Sequence, residues 1–424
     1  MNKYYLNDLV LSNRPITYGI VQPGPNVNPN GIPLIRGKDY SSGKVSTVGL
    51  YHVLPEIDKP YSRSKVITDD ILLSIAGYVG QVAIVPEQLE GANLTQTTAR
   101  LSCNPKLVIP KYLYYYLQSE KFYKTQVKKF EKGSAQSGLN LSDVGIFEIN
   151  LPPLPQQRKI AKILSTVDAV IEKTEAAIAK YQQLKQGLMQ DVFTRGIDVT
   201  TGKLRPKPED APDLYQASEL GLIPKEWEVE TVDSVAFLRH GYQFRDYDFV
   251  KEGIDVVKIG QIGKKGNVNL ENSSKIASSR LDEFNSIQLF EGDILMALTG
   301  ATLGKTAIIR NIDKPMLQNY RVGYFTPRDE NKLNKLFLYY LLIGDSVQNE
   351  ILGFVNAGAQ GNIGKADFEK IKIIVPNSIQ EQKLSSLKLQ SIDQKIHTEQ
   401  QALAKYQQLK AGLMQDLLTG EVSV

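Results

Sequence analysis

A twelve-residue stretch that occurs twice constrains this chain more than any other feature. Residues 180–191 read KYQQLKQGLMQD and residues 405–416 read KYQQLKAGLMQD, so the copies differ only where Gln186 aligns with Ala411. Chance does not produce such a match over so long a separation. The repeat therefore indicates a chain that consists of two equivalent halves.

Each copy closes a longer helical pattern. Proline is absent from 156–191 and from 380–416, so each pattern predicts a helix of about 35 residues, on the order of 50 Å long. Apolar residues recur at steps of three and four and form one stripe along each helix. The stripes comprise Ile160, Leu164, Val167, Ile171, Ile178, Tyr181, Leu184 and Leu188 in the first helix and Leu389, Ile392, Ile396, Leu403, Tyr406, Leu409 and Leu413 in the second.

Two nearly identical stripes predict that the helices pack against each other, antiparallel and related by a local twofold axis. In the alternative arrangement, each helix simply lies on its own domain. That alternative is less favoured because it does not require the repetition of polar residues such as Gln182 and Gln183.

The segments before the two helices share a plan. Asp70–Gly77 and Asp293–Gly300 are apolar strand patterns with the same spacing from Asp to Gly, and a second apolar strand follows each of them. The loops around this plan differ, since 22–31 is rich in proline, asparagine and glycine while 241–252 is aromatic and charged. A shared scaffold with unlike loops indicates two heads that bind different targets.

These patterns predict a mixed α/β (α+β) fold with two similar globular heads, joined by two long helices that form an antiparallel coiled coil with pseudo-twofold symmetry. The predicted domains are head 1 (1–153), the first helix (154–194), a proline-containing linker (195–226), head 2 (227–377) and the second helix (378–424).

Composition narrows the class of protein. The chain has 424 residues, too many for one core, and a net charge of +4, which permits nucleic-acid binding without requiring it. One cysteine excludes an internal disulfide, and three scattered histidines give no zinc-binding pattern. With no apolar run long enough for a membrane span and no signal peptide, the prediction is a cytoplasmic protein.

Motifs for catalysis are weak. Residues 300–306 imitate a phosphate-binding loop, but three residues separate the glycines where four are needed, and the matching tip 77–81 has neither Lys nor Thr. No Ser/His/Asp or Cys/His set stands out. The prediction is therefore a binding protein without catalytic or metal-binding residues.

Side chains suited to DNA are present in both heads. Arg, Lys and Gln contact phosphates and base edges, so these residues are candidates for DNA binding. They are Arg36, Lys38, Lys44, Gln96 and Arg100 in head 1 and Arg239, Gln243, Arg245, Lys258, Lys264, Lys265, Lys305, Gln318 and Arg321 in head 2.

Three features together resemble one known family. They are the doubled helix, the run PPLPQQRK at 152–159 before the first helix, and GLIPKEW at 221–227 before the second head. In this combination the chain resembles the specificity subunits of type I restriction-modification systems. The second helix departs from the pattern, because 375–383 reads VPNSIQEQK and lacks two prolines and the arginine.

The resemblance implies a non-catalytic DNA-binding subunit of a system that defends against foreign DNA. Each head would be a target recognition domain for one half of a split, asymmetric sequence. The helices would set the unread gap and dock two methyltransferase subunits, which methylate adenine, and restriction/translocase subunits would complete the enzyme. S-adenosylmethionine, ATP and Mg would be bound by those partners, so no cofactor is expected in this chain.

Two other functions remain open from the residues alone. One is a stand-alone nuclease or NTPase that dimerises through its helices. The other is a structural scaffold whose two heads bind proteins.

Overall fold

The computed structural model describes residues 2–40, 43–130, 138–263, 266–312, 314–357 and 363–419. The chain forms two compact units: unit 1 comprises Met1–Ala177 with Glu399–Val424, and unit 2 comprises Ile178–Thr398. Each unit therefore contains one head and parts of both long helices. No helix in these ranges is long and apolar enough to cross a membrane.

Unit 1 is built on short, mainly antiparallel sheets. Strands β2, β8, β5 and β6 form one sheet in that order, β4, β3 and β7 form a second, and β1 pairs with β9. The strands are β1 (Asn2–Tyr5), β2 (Thr17–Tyr18), β3 (Ile32–Ile35), β4 (Tyr51–Val53), β5 (Ile71–Ser74), β6 (Val82–Ile84), β7 (Asn93–Leu94), β8 (Thr98–Leu101) and β9 (Glu148–Leu151).

The helices of unit 1 are interspersed with its strands. They include α1 (Pro55–Asp58), α2 (Pro110–Gln118), α3 (Glu120–Phe122), α4 (Lys128–Phe130), α5 (Leu141–Gly145) and the first part of α6 (Leu154–Thr194). Helix α2 starts with a proline, which is favourable there because the first amide of a helix has no partner within it.

The two apolar strands predicted within 70–85 are confirmed, and they form a hairpin in unit 1. Strands β5 and β6 pair antiparallel, with Ile71 opposite Ile84. Alternate residues of a strand point to opposite faces. Accordingly, Ile71 and Leu73 belong to one buried cluster while Leu72 belongs to another. Burial on both faces explains why the first three residues of this strand are all apolar.

Unit 2 repeats this plan with additions. Strands β13, β21, β18 and β19 form one sheet, β14, β16, β15, β20 and β17 form another, and β10–β11 and β12–β22 are pairs. The strands are β10 (Tyr215–Ser218), β11 (Gly221–Pro224), β12 (Trp227–Thr231), β13 (Ala236–His240), β14 (Phe249–Val250), β15 (Ile254–Val257), β16 (Ser274–Ile276), β17 (Gln288–Leu289), β18 (Ile294–Ala297), β19 (Thr306–Ile308), β20 (Met316–Gln318), β21 (Val322–Pro327) and β22 (Lys372–Pro376).

The helices of unit 2 include α7 (Val232–Val235), α8 (Lys335–Ile343), α9 (Asp345–Ala357), α10 (Lys365–Glu369), the second part of α6 and the first part of α11 (Ile379–Thr419). Strand β18 is buried on both faces, as β5 is, with Ile294 in one cluster and Leu295 in another. The predicted equivalence of the two heads is confirmed at their central hairpins.

The segment 195–226 is packed, although its prolines predict an irregular linker. The buried Glu381 carboxylate pairs with Arg205 and accepts hydrogen bonds from the amide of Ile197 (2.9 Å) and the indole of Trp227 (3.3 Å). A buried carboxylate needs several such donors. The segment is therefore fixed to the start of α11 within unit 2.

Both long helices are confirmed, with 41 residues each in α6 and α11, and both extend beyond the proline-free stretches 156–191 and 380–416. Helix α6 includes Pro155, because proline is tolerated in the first turn of a helix. At the other end, both helices continue three residues past the repeated aspartates Asp191 and Asp416.

Segments of the two helices run antiparallel within unit 2. Lys185 Nζ lies 2.7 Å from Asp393 Oδ1, and Lys395 Nζ lies 5.8 Å from the centre of the Tyr181 ring. Residues nearer the start of α6 therefore contact residues nearer the end of α11, so these segments run antiparallel, as predicted.

Unit 1 contains the complementary segments. Lys410 Nζ lies 2.7 Å from Asp168 Oδ1, and Leu417 belongs to the same buried cluster as Ile160 and Leu164. The end of α11 therefore packs near the start of α6, which is again antiparallel. The apolar residues at the ends of both helices, Val192 and Leu417, are fully buried and were missed because they lie beyond the repeated stretch.

The predicted stripe is only partly buried. Ile160, Leu164, Ile178 and Leu389 are buried. The half-buried members are Val167, Ile171, Tyr181, Leu188, Ile392, Ile396, Leu403, Tyr406 and Leu413. The prediction is wrong for Leu184 and Leu409, which are 50% and 51% exposed. A regular spacing of three and four does not reveal how wide the covered face is, and these two leucines lie outside it.

Candidate DNA interface

Both heads begin their variable loop at an equivalent glycine. In unit 2, Gly241 follows β13 and packs so closely that a Cβ atom would collide with the carbonyl oxygen of Gln318. The amide of Tyr242 donates to that oxygen (3.0 Å), and the amide of Tyr320 donates to the carbonyl of Tyr242 (3.0 Å). These contacts fix the point at which the chain leaves the sheet.

Unit 1 has the same arrangement at Gly19. A Cβ atom there would collide with the carbonyl oxygen of Leu94. The amide of Ile20 donates to Leu94 O (2.6 Å), and the amide of Gln96 donates to Ile20 O (3.0 Å). The loops that follow these two glycines differ in composition between the heads.

The loop of unit 2 rests on an aromatic cluster. The ring of Phe244 lies 5.0 Å from Tyr242, 5.1 Å from Phe284 and 6.3 Å from Phe249, measured between centroids. Such tilted and edge-on contacts stabilise beyond the area they bury. Phe244 is buried, whereas Tyr247 further along the loop is 86% exposed.

The carboxylate of Asp248 stabilises the same loop. Asp248 accepts from the amide of Arg245 (2.8 Å) and from the guanidinium of Arg280 (2.9 Å). The hydrogen bond from the Arg245 amide and then that from Arg280 hold the pKa of Asp248 below its usual value. Arg280 is thereby engaged within the fold.

Two predicted DNA-binding residues of unit 2 form one internal network. Gln318 is fully buried, donates to the carbonyls of Arg239 (2.9 Å) and Val322 (2.8 Å), and accepts from Arg239 Nε (3.0 Å). The prediction for Gln318 is therefore wrong, because its amide is consumed in joining β20 to its neighbours. The Arg239 guanidinium lies 4.2 Å above the Tyr324 ring, and burial lowers its pKa.

Lys258 is also engaged. Its Nζ donates to Ser274 Oγ (2.7 Å) and lies 3.9 Å from the centre of the Phe249 ring. Burial lowers the pKa of this lysine. Lys258 therefore supports the aromatic loop and is not free to contact DNA.

The remaining candidates of unit 2 differ in placement. Gln243, Arg245 and Arg321 are exposed, and Arg321 stacks on Tyr320 while donating to its hydroxyl (2.7 Å). Lys305 is partly exposed on the tip between β18 and β19. Lys264 and Lys265 lie outside the described residues.

The prediction for Arg100 in unit 1 is wrong for the same reason as that for Gln318, because its side chain is buried and bonded within the fold. It is 1% exposed and donates to the carbonyls of Arg63 (2.6 Å), Lys65 (3.1 Å) and Pro15 (3.1 Å). Burial, and next the nearby charge of Arg14, lower its pKa to about 10. A guanidinium occupied by three backbone carbonyls holds the fold together and cannot reach DNA.

The other candidates of unit 1 lie at the surface. Arg36 is bound by both carboxylate oxygens of Asp39 (2.9 and 3.0 Å), and Lys44 pairs with Glu172 (2.7 Å). Lys38 and Gln96 are exposed. Of these four side chains, Lys38 and Gln96 make no hydrogen bond within the described part of the chain.

A contact that sequence reasoning missed joins each head to the long helices. In unit 1, Tyr115 Oη donates to Asp168 Oδ2 (2.6 Å), and Lys410 pairs with the other oxygen while lying 5.6 Å from the Tyr115 ring. Burial, and then the hydrogen bond to Asp168, raise the pKa of Tyr115.

Unit 2 contains the same triad. Tyr340 Oη donates to Asp393 Oδ2 (2.7 Å), and Lys185 pairs with Asp393 Oδ1 (2.7 Å) and lies 5.5 Å from the Tyr340 ring. All three members are separated by 225 positions from their counterparts in unit 1, which is the period of the repeat. The repeat thus preserves the joint between head and helices as well as the helices themselves.

Two heads share a strand framework but carry unlike exposed loops, and identical triads join each head to the repeated helices. That combination defines a recognition protein with two separate binding heads. The chain belongs to the family of type I restriction-modification DNA specificity subunits. The family model for the "Type I restriction modification DNA specificity domain" matches residues 26–183 and 224–408.

Individual relatives agree. The type I restriction enzyme MjaVIII specificity subunit of Methanocaldococcus jannaschii is 31% identical over 338 residues, which are 78% of this chain and 74% of that protein. The EcoBI specificity subunit of Escherichia coli is 32% identical over 192 residues, or 44% of this chain and 40% of that protein.

The fold is also shared with a solved structure. The crystal structure of a type I restriction-modification system S subunit from M. genitalium matches with a TM-score of 0.63 and 15% identity. The match covers 98% of this chain and 95% of that one.

Proposed function

We propose that unit 1 and unit 2 each bind one half of a split, asymmetric DNA sequence. The observation that carries this proposal is the equivalent pair of glycine exits, Gly19 and Gly241, from which two unlike loops leave one framework. Identical loops would suit a palindrome, whereas unlike loops suit two different half-sites. The chain itself supplies binding, and its partners supply methylation and cleavage.

The proposal is tested by the methylation pattern of the assembled complex. We expect cells that express this chain with its methyltransferase subunits to methylate adenines within a single two-part sequence with a fixed gap. Long-read sequencing of the host genome measures this directly, and cells with the methyltransferase subunits alone are the control. Methylation at a continuous or palindromic sequence would contradict the proposal.

No observation favours the two alternative functions. No group of three His, Cys, Asp or Glu side chains that could hold a metal ion occurs within the described ranges. The tip at Lys305 has no equivalent charge in unit 1. The isolated chain is expected to leave both ATP and duplex DNA intact.

We further propose that the long helices carry two equivalent docking surfaces for methyltransferase subunits. Within the repeated stretch, the exposed residues include Lys180, Gln182, Gln183, Leu184 and Gln190 in α6 and Lys405, Gln407, Gln408, Leu409 and Gln415 in α11. Identical exposed side chains at two places suit two copies of one partner. Leu184 and Leu409 are the apolar centres of these surfaces.

Substituting either leucine is expected to remove one copy of the partner. Leu184→Glu or Leu409→Glu would place a charge in the centre of an interface and weaken docking at that surface by at least about tenfold. Native mass spectrometry of the complex should then show one methyltransferase subunit for each single variant and none for the double variant.

Leu387→Glu is the matched control for this experiment. Leu387 is 56% exposed on α11, and its counterpart in α6 is Lys162, so it is not part of the repeat. This control is expected to retain two copies. Two copies bound to the Leu184→Glu, Leu409→Glu double variant would contradict the proposed docking surfaces.

A further inference from the structure

Several predicted DNA-binding residues of unit 2 are bonded within the fold, but its exposed loop carries two whose side chains are not. Gln318 and Arg239 bind each other, and Lys258 binds Ser274. By contrast, the side chains of Gln243 and Arg245 are exposed and donate no hydrogen bond within the described part of the chain. These two are therefore available to a ligand.

The backbone that carries these side chains is held from three sides. Gly241 and Tyr242 are fixed to β20, the Phe244 ring is buried in the aromatic cluster, and Asp248 binds the Arg245 amide. Specific recognition requires side chains on a support that is ordered before binding. The loop meets that requirement although it extends from the sheet.

The charge of the loop distinguishes between two kinds of DNA contact. Residues 241–250 read GYQFRDYDFV, with one arginine and two aspartates. Phosphate contacts provide affinity through accumulated positive charge. Because Arg280 neutralises Asp248, the loop carries no net positive charge and is poorly suited to that role, while glutamine and arginine side chains suit hydrogen bonding to base edges.

The equivalent loop of unit 1 also lacks net positive charge. Residues 21–31 carry no charged side chain, and their exposed polar groups include Gln22, Asn28 and Asn30. The loop is held by Tyr51, which donates to Gly24 O, and by the His52 amide, which donates to Asn26 Oδ1. Both heads thus present amide side chains on a fixed loop that lacks net positive charge.

We propose that loop 241–250 determines the specificity of unit 2, and that Arg245 contacts a guanine in the major groove. The Arg fork matches the two acceptors of guanine, and the Gln243 amide suits the donor and acceptor of a neighbouring adenine. This inference rests on the proposed function, because it assigns bases to a half-site that unit 2 must first bind.

The test uses the full chain in complex with its methyltransferase subunits and compares the sequences methylated by each variant. For Arg245→Ala, one position in one half-site is expected to lose its preference for guanine, with discrimination reduced between about fivefold and about a hundredfold. Arg245→Lys is expected to lose it as well, because lysine provides a point charge without the planar fork.

Lys251→Ala is the control, since Lys251 is also exposed and directly follows the loop. It should leave the methylated sequence unchanged. Thermal unfolding of Arg245→Ala should match the original chain, because the guanidinium makes no hydrogen bond to the described residues.

The remaining outcomes separate the two proposals. An unchanged methylated sequence with Arg245→Ala would overturn the inference. A uniformly slower reaction that Arg245→Lys restores would also overturn it and would identify a phosphate contact instead. If the original complex methylates no two-part sequence, the proposed function itself fails, independently of the loop.

Discussion

Replacing head 1 with that of a related specificity subunit is expected to change one half of the methylated sequence completely and to leave the other half and the gap unchanged. The exchange would cover residues 1–153, so that α6 and α11 remain those of this chain. The reason is that every candidate base contact of unit 1 lies on that head, whereas Gln243 and Arg245 lie on the other. Mapping methylated adenines measures both halves at once.

The donor head must preserve the joint to the helices. Tyr115 donates to Asp168, and the amide of Ile109 and the carbonyl of Leu107 bind the side chain of Gln157. A donor head with tyrosine at the position of Tyr115 retains these contacts. The reciprocal exchange of residues 227–377 is the control and should change the opposite half. A chimera in which both halves change would contradict independent recognition by the two heads.

The repeat allowed the larger features to be predicted from the sequence. Apolar residues at steps of three and four, without proline, specify a long helix in both halves. A shared Asp-to-Gly spacing, with a second apolar strand after each, predicted the two hairpins, and the structure pairs Ile71 with Ile84 and Ile294 with Ile308. These features depend on local patterns that repeat, which a single sequence displays directly.

The candidate site was harder to predict, because it depends on which polar side chains remain unpaired. Arg100 and Arg245 are the same residue type in loop-rich heads, yet one binds three carbonyls in the interior and the other is exposed. Residue type shows what a side chain can bind. Only the tertiary structure shows whether the fold has already bound it.

One signal in the sequence could have revealed more. Tyr115, Asp168 and Lys185 each have an identical residue 225 positions later, at Tyr340, Asp393 and Lys410. A comparison of the halves position by position would have marked these polar matches as part of a joint. The difference at the start of α11, where Glu381 replaces Gln156, marks a place at which unit 2 holds the segment 195–226.

Lengthening both long helices by four residues is expected to widen the unread gap of the DNA sequence by roughly one or two base pairs. Helix α6 passes from unit 1 to unit 2 at Ala177, and α11 returns at Glu399. Four residues add about 6 Å of helix, and adjacent base pairs are about 3.4 Å apart. Both half-sites should remain unchanged, because the heads are untouched.

The insertions belong between 176 and 177 and between 401 and 402, which are equivalent positions of the repeat. They lie close to the boundaries of the units, and they spare the triads at Asp168 and Asp393. Insertion into one helix alone is the control, since it mismatches the pair and should reduce methylation without giving one new gap. A doubly lengthened chain that methylates the original sequence with its original gap would show that helix length does not determine the spacing.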